Sequence, residues 1–177
     1  MKNIDQIIKT LTLDEKVSLL SGFNSWYTSK IEKKNVPSIK MSDGPNGVRG
    51  DSNSGKSSAC FPCAISIGST WDLPLIKNIG IALGEEAQAK DVDVLLGPTI
   101  NIHRHPLGGR HFESFSEDPF LTGKIATNYV QGVQSKNVAA CLKHFVGNDT
   151  EYERHSISSN IDAQTLREIY LLPFEMG

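Results

Sequence analysis

The sequence predicts an α/β fold, specifically an incomplete (β/α)8 TIM-barrel-like domain that corresponds to about the first half of such a barrel. Short apolar segments of strand length alternate with amphipathic segments of helix length, a pattern typical of parallel strands buried on both faces. The strand segments are predicted at residues 38–42, 64–68, 92–97 and 138–145. A complete barrel has eight strands in roughly 250 residues, whereas this chain has 177 residues.

Helix caps and apolar spacing predict the helices that separate these strands. Thr12 and Glu15 form a capping-box pattern, and the helix that they start is expected to end at Gly22. Further helices are predicted at residues 73–90, 120–135 and 163–175. Residues 50–58 contain almost no apolar side chains and are predicted to form an exposed loop, and a second long loop spans Gly97–Pro119.

Composition and charge exclude several classes of protein. Hydrophobic residues make up 38% of the chain and charged residues 21%, which is typical of a folded domain. No apolar run reaches the roughly 20 residues that a membrane-spanning helix needs. The formal net charge is −2, and the basic residues are scattered along the chain. We therefore expect neither nucleic acid nor a membrane as a partner.

The N-terminal residues and the cysteines indicate a reducing compartment. Asp5 and Lys9 interrupt the apolar run that a signal peptide would need, and an odd number of cysteines, 3, does not predict a disulfide framework. A cytoplasmic location is therefore expected. Cys60 and Cys63 form a C-x-x-C, but Pro62 lies between them and the flanks read as loop, so neither a zinc site nor a redox site is favoured.

Polar side chains follow three of the predicted strands, where parallel α/β folds place their functional groups. Asp43 follows the first strand, Arg110 lies in the loop after the third, Lys143 and His144 end the fourth, and Arg154 comes after it. Aspartate accepts hydrogen bonds from adjacent hydroxyls, while arginine and lysine donate to several oxygens. No glycine-rich phosphate-binding motif is present. This set of side chains suits a polyhydroxylated ligand such as a sugar.

The local sequence leaves other roles open. Asp43 before Gly44 is also typical of a turn, and Arg110, which follows two glycines, could point inward or into solvent. A metal-dependent hydrolase would use three histidines as zinc ligands: His103, His105 and His144. Three aromatic side chains could stack against a sugar ring or pack in the core: Trp26, Trp71 and Phe112.

Four motifs occur in series along the chain: MSDGPNGVRG at 41–50, GPTINIHRHPLGGRHFESFSEDPFLTG at 97–123, LKHFVGND at 142–149 and LREIYLLPFE at 166–175. Together they resemble glycoside hydrolase family 3, in particular its β-glucosidases. The resemblance runs from about Leu11 to the last residue. It implies that residues 1–177 are the N-terminal part of a barrel domain, and that the rest of the barrel and the C-terminal domains are absent from this chain.

The resemblance also implies a role for each candidate residue. Asp43, Arg110, Lys143, His144 and Arg154 match the side chains that bind the non-reducing sugar in the −1 subsite. Glu113 matches an acidic position that supports Arg110 and is not catalytic. The family hydrolyses glycosides with retention, through an aspartate nucleophile and a glutamate acid/base. The family motifs that carry these two carboxylates do not occur in this chain, so we expect it to carry no catalytic residue. The resemblance implies no metal or cofactor.

The implied activity is hydrolysis of terminal non-reducing β-D-glucosyl residues from β-glucosides or cello-oligosaccharides by the full-length enzyme, with the 177-residue segment alone inactive. Three alternatives stay open. The chain could be an inactive sugar-binding or regulatory half-barrel, or the family member could have β-xylosidase or β-N-acetylhexosaminidase specificity, with His155 in the place of a dyad histidine. Whether the full-length enzyme forms a homo-oligomer is also left open.

Overall fold

The computed structural model describes residues 4–50 and 56–177. The chain divides after Met41 into two compact units. The larger unit, which begins at Ser42, contains a partial parallel sheet and the long helices, and it has the α/β fold of an incomplete barrel. Among the described residues, no helix is long and apolar enough to span a membrane.

Among its described residues, the smaller unit contains two short helices and a 3-10 turn. Helix α1 spans Ile4–Thr10 and was not predicted, α2 spans Leu13–Ser18, and the 3-10 turn spans Glu32–Lys34. The predicted capping box is present: the Glu15 amide donates to Thr12 Oγ1 and the Thr12 amide donates to Glu15 Oε2. The prediction that this helix reaches Gly22 is wrong, because Gly22 forms an antiparallel bridge with Thr28.

The sheet has three short strands in the order β1-β2-β3. Strand β1 spans Met41–Asp43, β2 spans Val94–Leu96 and β3 spans Ala139–Ala140. Strands β2 and β3 are parallel, with Val94 opposite Ala139, and an isolated parallel bridge joins Thr99 to Lys143 beyond them. Three of the four predicted strands are therefore present, although each is shorter than its apolar run.

The predicted strand at residues 64–68 is wrong. These residues form helix α3, Ala64–Gly68, in which Ala64, Ile67 and Gly68 are buried. The buried residues are spaced three and four apart, so they lie on one helical face, while Ile65 is 41% exposed. Over five residues, alternation of apolar side chains does not distinguish a strand from one turn of helix.

The two long helices begin and end within about one residue of their predicted bounds. Helix α4 spans Leu73–Ala89 and helix α5 spans Pro119–Gln134. Each begins at an aspartate N-cap: Asp72 accepts a hydrogen bond from Leu75 N at 2.9 Å, and Asp118 accepts one from Phe120 N at 2.8 Å. The core of the larger unit lies between these helices and the sheet, and its most buried side chains include Ile76, Leu83, Leu95, Ile125, Tyr129 and Val133.

The C-terminal helical segment is interrupted. It consists of α6 at Ala163–Thr165, a π-helical turn at Leu166–Tyr170 and α7 at Leu172–Met176, where one continuous helix was predicted. Proline 173 has no amide hydrogen and clashes with the preceding turn of a regular helix, which accounts for the break. The described residues of the predicted loops 50–58 and 97–119 contain no strand, and residues 51–55 lie outside the described part of the chain. The second loop includes a 3-10 turn at His111–Glu113.

Candidate functional site

An ion pair joins the ends of two strands. Asp43 is the last residue of β1, and Lys143 lies just beyond β3. Lys143 Nζ is 2.9 Å from Asp43 Oδ1, and the lysine side chain is only 14% exposed. Burial raises the pKa of Asp43, but its hydrogen bond with Lys143, the lysine charge, the Gly44 amide and Arg49 outweigh this effect and lower the pKa. The carboxylate is therefore held ionised.

Asp43 also contributes to the turn that follows β1. Its carbonyl accepts a hydrogen bond from Arg49 N at 3.0 Å, and its carboxylate accepts one from the Gly44 amide. The turn interpretation and the binding interpretation are thus compatible. One oxygen of the side chain faces Lys143, and the other is 3.9 Å from Arg49 Nη1.

Arg110 is held inward by a buried carboxylate. Its Nε donates a hydrogen bond to Glu113 Oε1, and Glu113 Oε2 accepts a hydrogen bond from Thr99 Oγ1 at 2.9 Å. The side chain of Glu113 is 7% exposed and that of Arg110 is 28% exposed. This geometry bears out the expected support of Arg110 by Glu113. It also decides between the two orientations that the sequence left open for Arg110.

His144 is oriented by Asn101. Asn101 Oδ1 accepts hydrogen bonds from the His144 amide at 2.9 Å and from His144 Nδ1 at 3.1 Å, while Asn101 Nδ2 donates to the His144 carbonyl. Because the amide oxygen faces the ring, Nδ1 carries the hydrogen and Nε2 is free to accept one. Burial lowers the pKa of His144, and the charges of Arg110 and Lys143 lower it further. The ring is therefore neutral at neutral pH.

Arg154 joins the same set through Glu151. Arg154 Nη1 is 2.8 Å from Glu151 Oε2, and Arg110 Nη1 is 3.8 Å from Glu151 Oε1. The negative charge of Glu151 also raises the pKa of His144 slightly, against the larger lowering effects of burial, Arg110 and Lys143. The contacts thus gather four of the candidates into two groups, Asp43 with Lys143, and Arg110 with Arg154 through Glu151. His144 is held separately by Asn101.

A cleft of about 460 Å³ opens beside this set. Asp43 and Arg110 line it directly, together with Glu113, Phe112 and Cys60. Phe112 is 58% exposed and thus presents an aromatic face to the cleft. Charged groups that converge on an open cleft with one aromatic wall can bind a neutral, hydroxyl-rich ligand through directed hydrogen bonds and ring contact.

The contacts of the histidines and cysteines bear on the alternative hypotheses of a metal site and a redox site. His103 Nε2 is 3.0 Å from the carbonyl oxygens of His111 and Ser114, and His105 Nδ1 accepts a hydrogen bond from Leu107 N at 3.2 Å. Within residues 4–50 and 56–177, no group of three or more His, Cys, Asp or Glu side chains could hold a metal ion. Cys60 and Cys63 are exposed free thiols.

Two residues of this site were not distinguished by the sequence. Asn101 and Glu151 lie in loops that follow β2 and β3, where polar residues are common, so composition does not mark them. Their importance depends on contacts with side chains 43 and 41 residues away in the sequence. The only available signal was their position after the ends of parallel strands, which they share with many other loop residues.

Comparison with known proteins identifies the family. The glycosyl hydrolase family 3 N terminal domain matches residues 2–177. The chain belongs to this family. A β-glucosidase from Rhizobium radiobacter is 56% identical over 174 residues, which is 97% of this chain and 21% of that protein. A putative β-glucosidase from Schizosaccharomyces pombe is 53% identical over 176 residues, which is 99% of this chain and 21% of that protein.

Solved structures of β-glucosidases share the fold of this family 3 domain. The Kluyveromyces marxianus enzyme in complex with glucose has a TM-score of 0.95 and 46% identity over 98% of this chain and 21% of that one. Thermotoga neapolitana β-glucosidase 3B in complex with α-D-glucose has a TM-score of 0.89 and 39% identity over 98% of this chain and 27% of that one. The chain therefore spans only 21% of the curated relatives that it matches.

Proposed function

We propose that the protein containing this chain is a β-glucosidase that removes terminal non-reducing β-D-glucosyl residues, and that this segment supplies sugar-binding residues of the −1 subsite. One observation carries the proposal: Asp43 and Arg110 line the same cleft, Asp43 is ion-paired with Lys143, and Glu151 links Arg110 to Arg154. The relatives named β-glucosidases support the same substrate class.

The groups of this chain bind and orient the sugar in this proposal. The ionised Asp43 accepts hydrogen bonds from two adjacent hydroxyls, and Lys143 and Arg110 donate to hydroxyl oxygens. Neutral His144 can accept a hydrogen bond at Nε2, because Asn101 occupies Nδ1. Such contacts hold the anomeric carbon in one place and strengthen as positive charge develops on the ring.

The bond-breaking step requires two further carboxylates. In retaining hydrolysis, one attacks the anomeric carbon and the other protonates the leaving oxygen and then activates water, with the two about 5–5.5 Å apart. We assign neither role to a residue of this chain, and we propose that both come from other segments of the longer protein. The 177-residue segment by itself is then expected to be inactive.

The test uses the full-length protein and four substrates. We expect p-nitrophenyl β-D-glucopyranoside to have the highest kcat/KM, above the β-xyloside, the N-acetyl-β-glucosaminide and the α-glucoside. Proton NMR at early times is expected to show the β-anomer of glucose first, as retention requires. Faster hydrolysis of the xyloside or glucosaminide would reassign the substrate. Glucose binding without hydrolysis of any substrate would make the protein a sugar-binding module.

A further inference from the structure

Glu151 lies between the two candidate arginines, and each of its oxygens faces a different one. Oε2 is 2.8 Å from Arg154 Nη1, and Oε1 is 3.8 Å from Arg110 Nη1. Asn148 Nδ2 also donates a hydrogen bond to Oε1 at 3.3 Å. The carboxylate thus connects the loop after β2, which carries Arg110, to the loop after β3, which carries Arg154.

The electrostatics indicate a positional role for Glu151. The side chains of Glu151, Arg110 and Arg154 are 24%, 28% and 47% exposed, and ion pairs with this much solvent contact contribute little to folding stability. Two guanidinium groups on neighbouring loops repel each other unless a carboxylate lies between them. Glu113 occupies only the Nε side of Arg110, so it does not replace Glu151 beside Arg154.

The backbone opposite Glu151 allows this close approach. A Cβ atom at Gly109 would lie 3.1 Å from Glu151 Cβ and 3.2 Å from Glu151 Cγ, which is closer than ordinary van der Waals contact. Gly109 does not have a positive φ, so its conformation is open to other residues. The absence of a side chain at Gly109 is therefore what makes room for Glu151 next to Arg110.

We propose that Glu151 is a positioning residue that holds Arg154 beside Arg110, which lines the cleft, and thereby sets the affinity for the sugar. This inference rests on the proposed function, because it assumes that both arginines contact the ligand. Glu151 itself touches the arginines, and it acts on the sugar only through them.

The first experiment removes the charge and keeps the shape. In the full-length protein, Glu151→Gln is expected to reduce kcat/KM for p-nitrophenyl β-D-glucopyranoside by about 10- to 100-fold, the usual effect of small misplacement of binding groups. Glu151→Asp keeps the charge and should recover part of this loss. The matched control is Glu153→Gln, an exposed carboxylate of the same loop, which should change kcat/KM less than about twofold.

Two further measurements separate positioning from a general effect on folding. Gly109→Ala leaves every charge in place but displaces Glu151, so a loss of about tenfold is expected with an unchanged melting temperature. In a double-mutant cycle with Arg154→Met, the loss of kcat/KM caused by Glu151→Gln should be smaller, because one of the arginines that Glu151 holds is already absent.

The outcomes distinguish this inference from the proposed function. If the wild-type protein hydrolyses the glucoside and Glu151→Gln matches it, or if the effects of Glu151→Gln and Arg154→Met simply add, the positioning role is wrong and the activity stands. If the wild-type protein hydrolyses no glucoside, the proposed function fails, and glucose titration by calorimetry decides the inference. Weaker glucose binding by Glu151→Gln would then support it, and no glucose binding by the wild-type protein would overturn both.

Discussion

At the scale of single residues, the site depends on polar side chains that are ionised or neutral for identifiable reasons. Lys143 holds Asp43 as a carboxylate, and burial with two neighbouring cations holds His144 neutral. We propose that sugar hydroxyls meet acceptors at Asp43 and at His144 Nε2, and donors at Lys143 and Arg110. This mixture is what a neutral sugar requires, because each hydroxyl both donates and accepts a hydrogen bond.

Asp43→Asn is expected to reduce kcat/KM for a β-glucoside by about 100-fold in the full-length protein, because the amide is uncharged, has one accepting oxygen instead of two, and removes the carboxylate that pairs with Lys143. Steady-state kinetics measure the change. Asp118→Asn is the control, since asparagine is as good an N-cap as aspartate for α5. Wild-type kinetics in Asp43→Asn would show that the residue serves the turn alone.

His144 predicts a pH dependence of stability. Its pKa in the folded protein lies below the ordinary value of 6.5, so the unfolded chain takes up the proton more readily. The stabilisation is complete above that value and is lost as the pH falls from it toward the lowered pKa. We expect the free energy of unfolding to fall more for the wild-type protein than for His144→Gln between about pH 7.5 and about pH 5. An equal decrease in both proteins would contradict the lowered pKa.

At the scale of secondary-structure elements, helix α4 fixes one wall of the cleft. Glu86 accepts hydrogen bonds from Val48 N at 2.7 Å and Ala59 N at 2.6 Å. Lys90, one turn later, donates to the Val48 carbonyl and to Ser58 Oγ, and its side chain is 3% exposed. This buried polar cluster ties both ends of the segment 48–59 to the helix, and Ala59 lines the cleft.

Glu86→Gln is expected to lower the free energy of unfolding by about 2 kcal/mol, because it weakens the charge-assisted hydrogen bonds from Val48 N and Ala59 N and removes the carboxylate charge 3.6 Å from Lys90 Nζ. Urea denaturation measures the change. Glu85→Gln is the matched control: the neighbouring carboxylate is 59% exposed and pairs with Lys136, so its loss should cost well under 1 kcal/mol. Equal midpoints for Glu86→Gln and the wild-type protein would show that the cluster does not stabilise the fold.

At the scale of the whole molecule, residues 2–177 match the glycosyl hydrolase family 3 N terminal domain, and the chain spans 21% of its curated relatives. The candidate site nevertheless assembles within residues 43–154. Asp43 ends β1, Arg110 lies in the loop after β2, and the other three members follow β3.

The isolated 177-residue segment is expected to fold poorly or to aggregate. Strand β3 lies at the end of the sheet order, and among the described residues it pairs only with β2, so its outer edge can pair with another chain. Size-exclusion chromatography and a thermal melt test this, with the full-length protein as the comparison. A monomeric segment with a cooperative melt would refute the prediction.

The amino-acid sequence by itself determined the features that depend on neighbours three or four residues apart. The aspartate N-caps, the capping box at Thr12 and the bounds of α4 and α5 are of this kind, as are the motifs that marked the family. The prediction from the sequence failed at residues 64–68, because these five residues fit a strand and a helix equally well. Only the tertiary structure decided that Lys143 pairs with Asp43, 100 residues away, and that Glu151 stands between two arginines. Such contacts depend on where whole strands and loops come to lie, and no local pattern of residues encodes that distance.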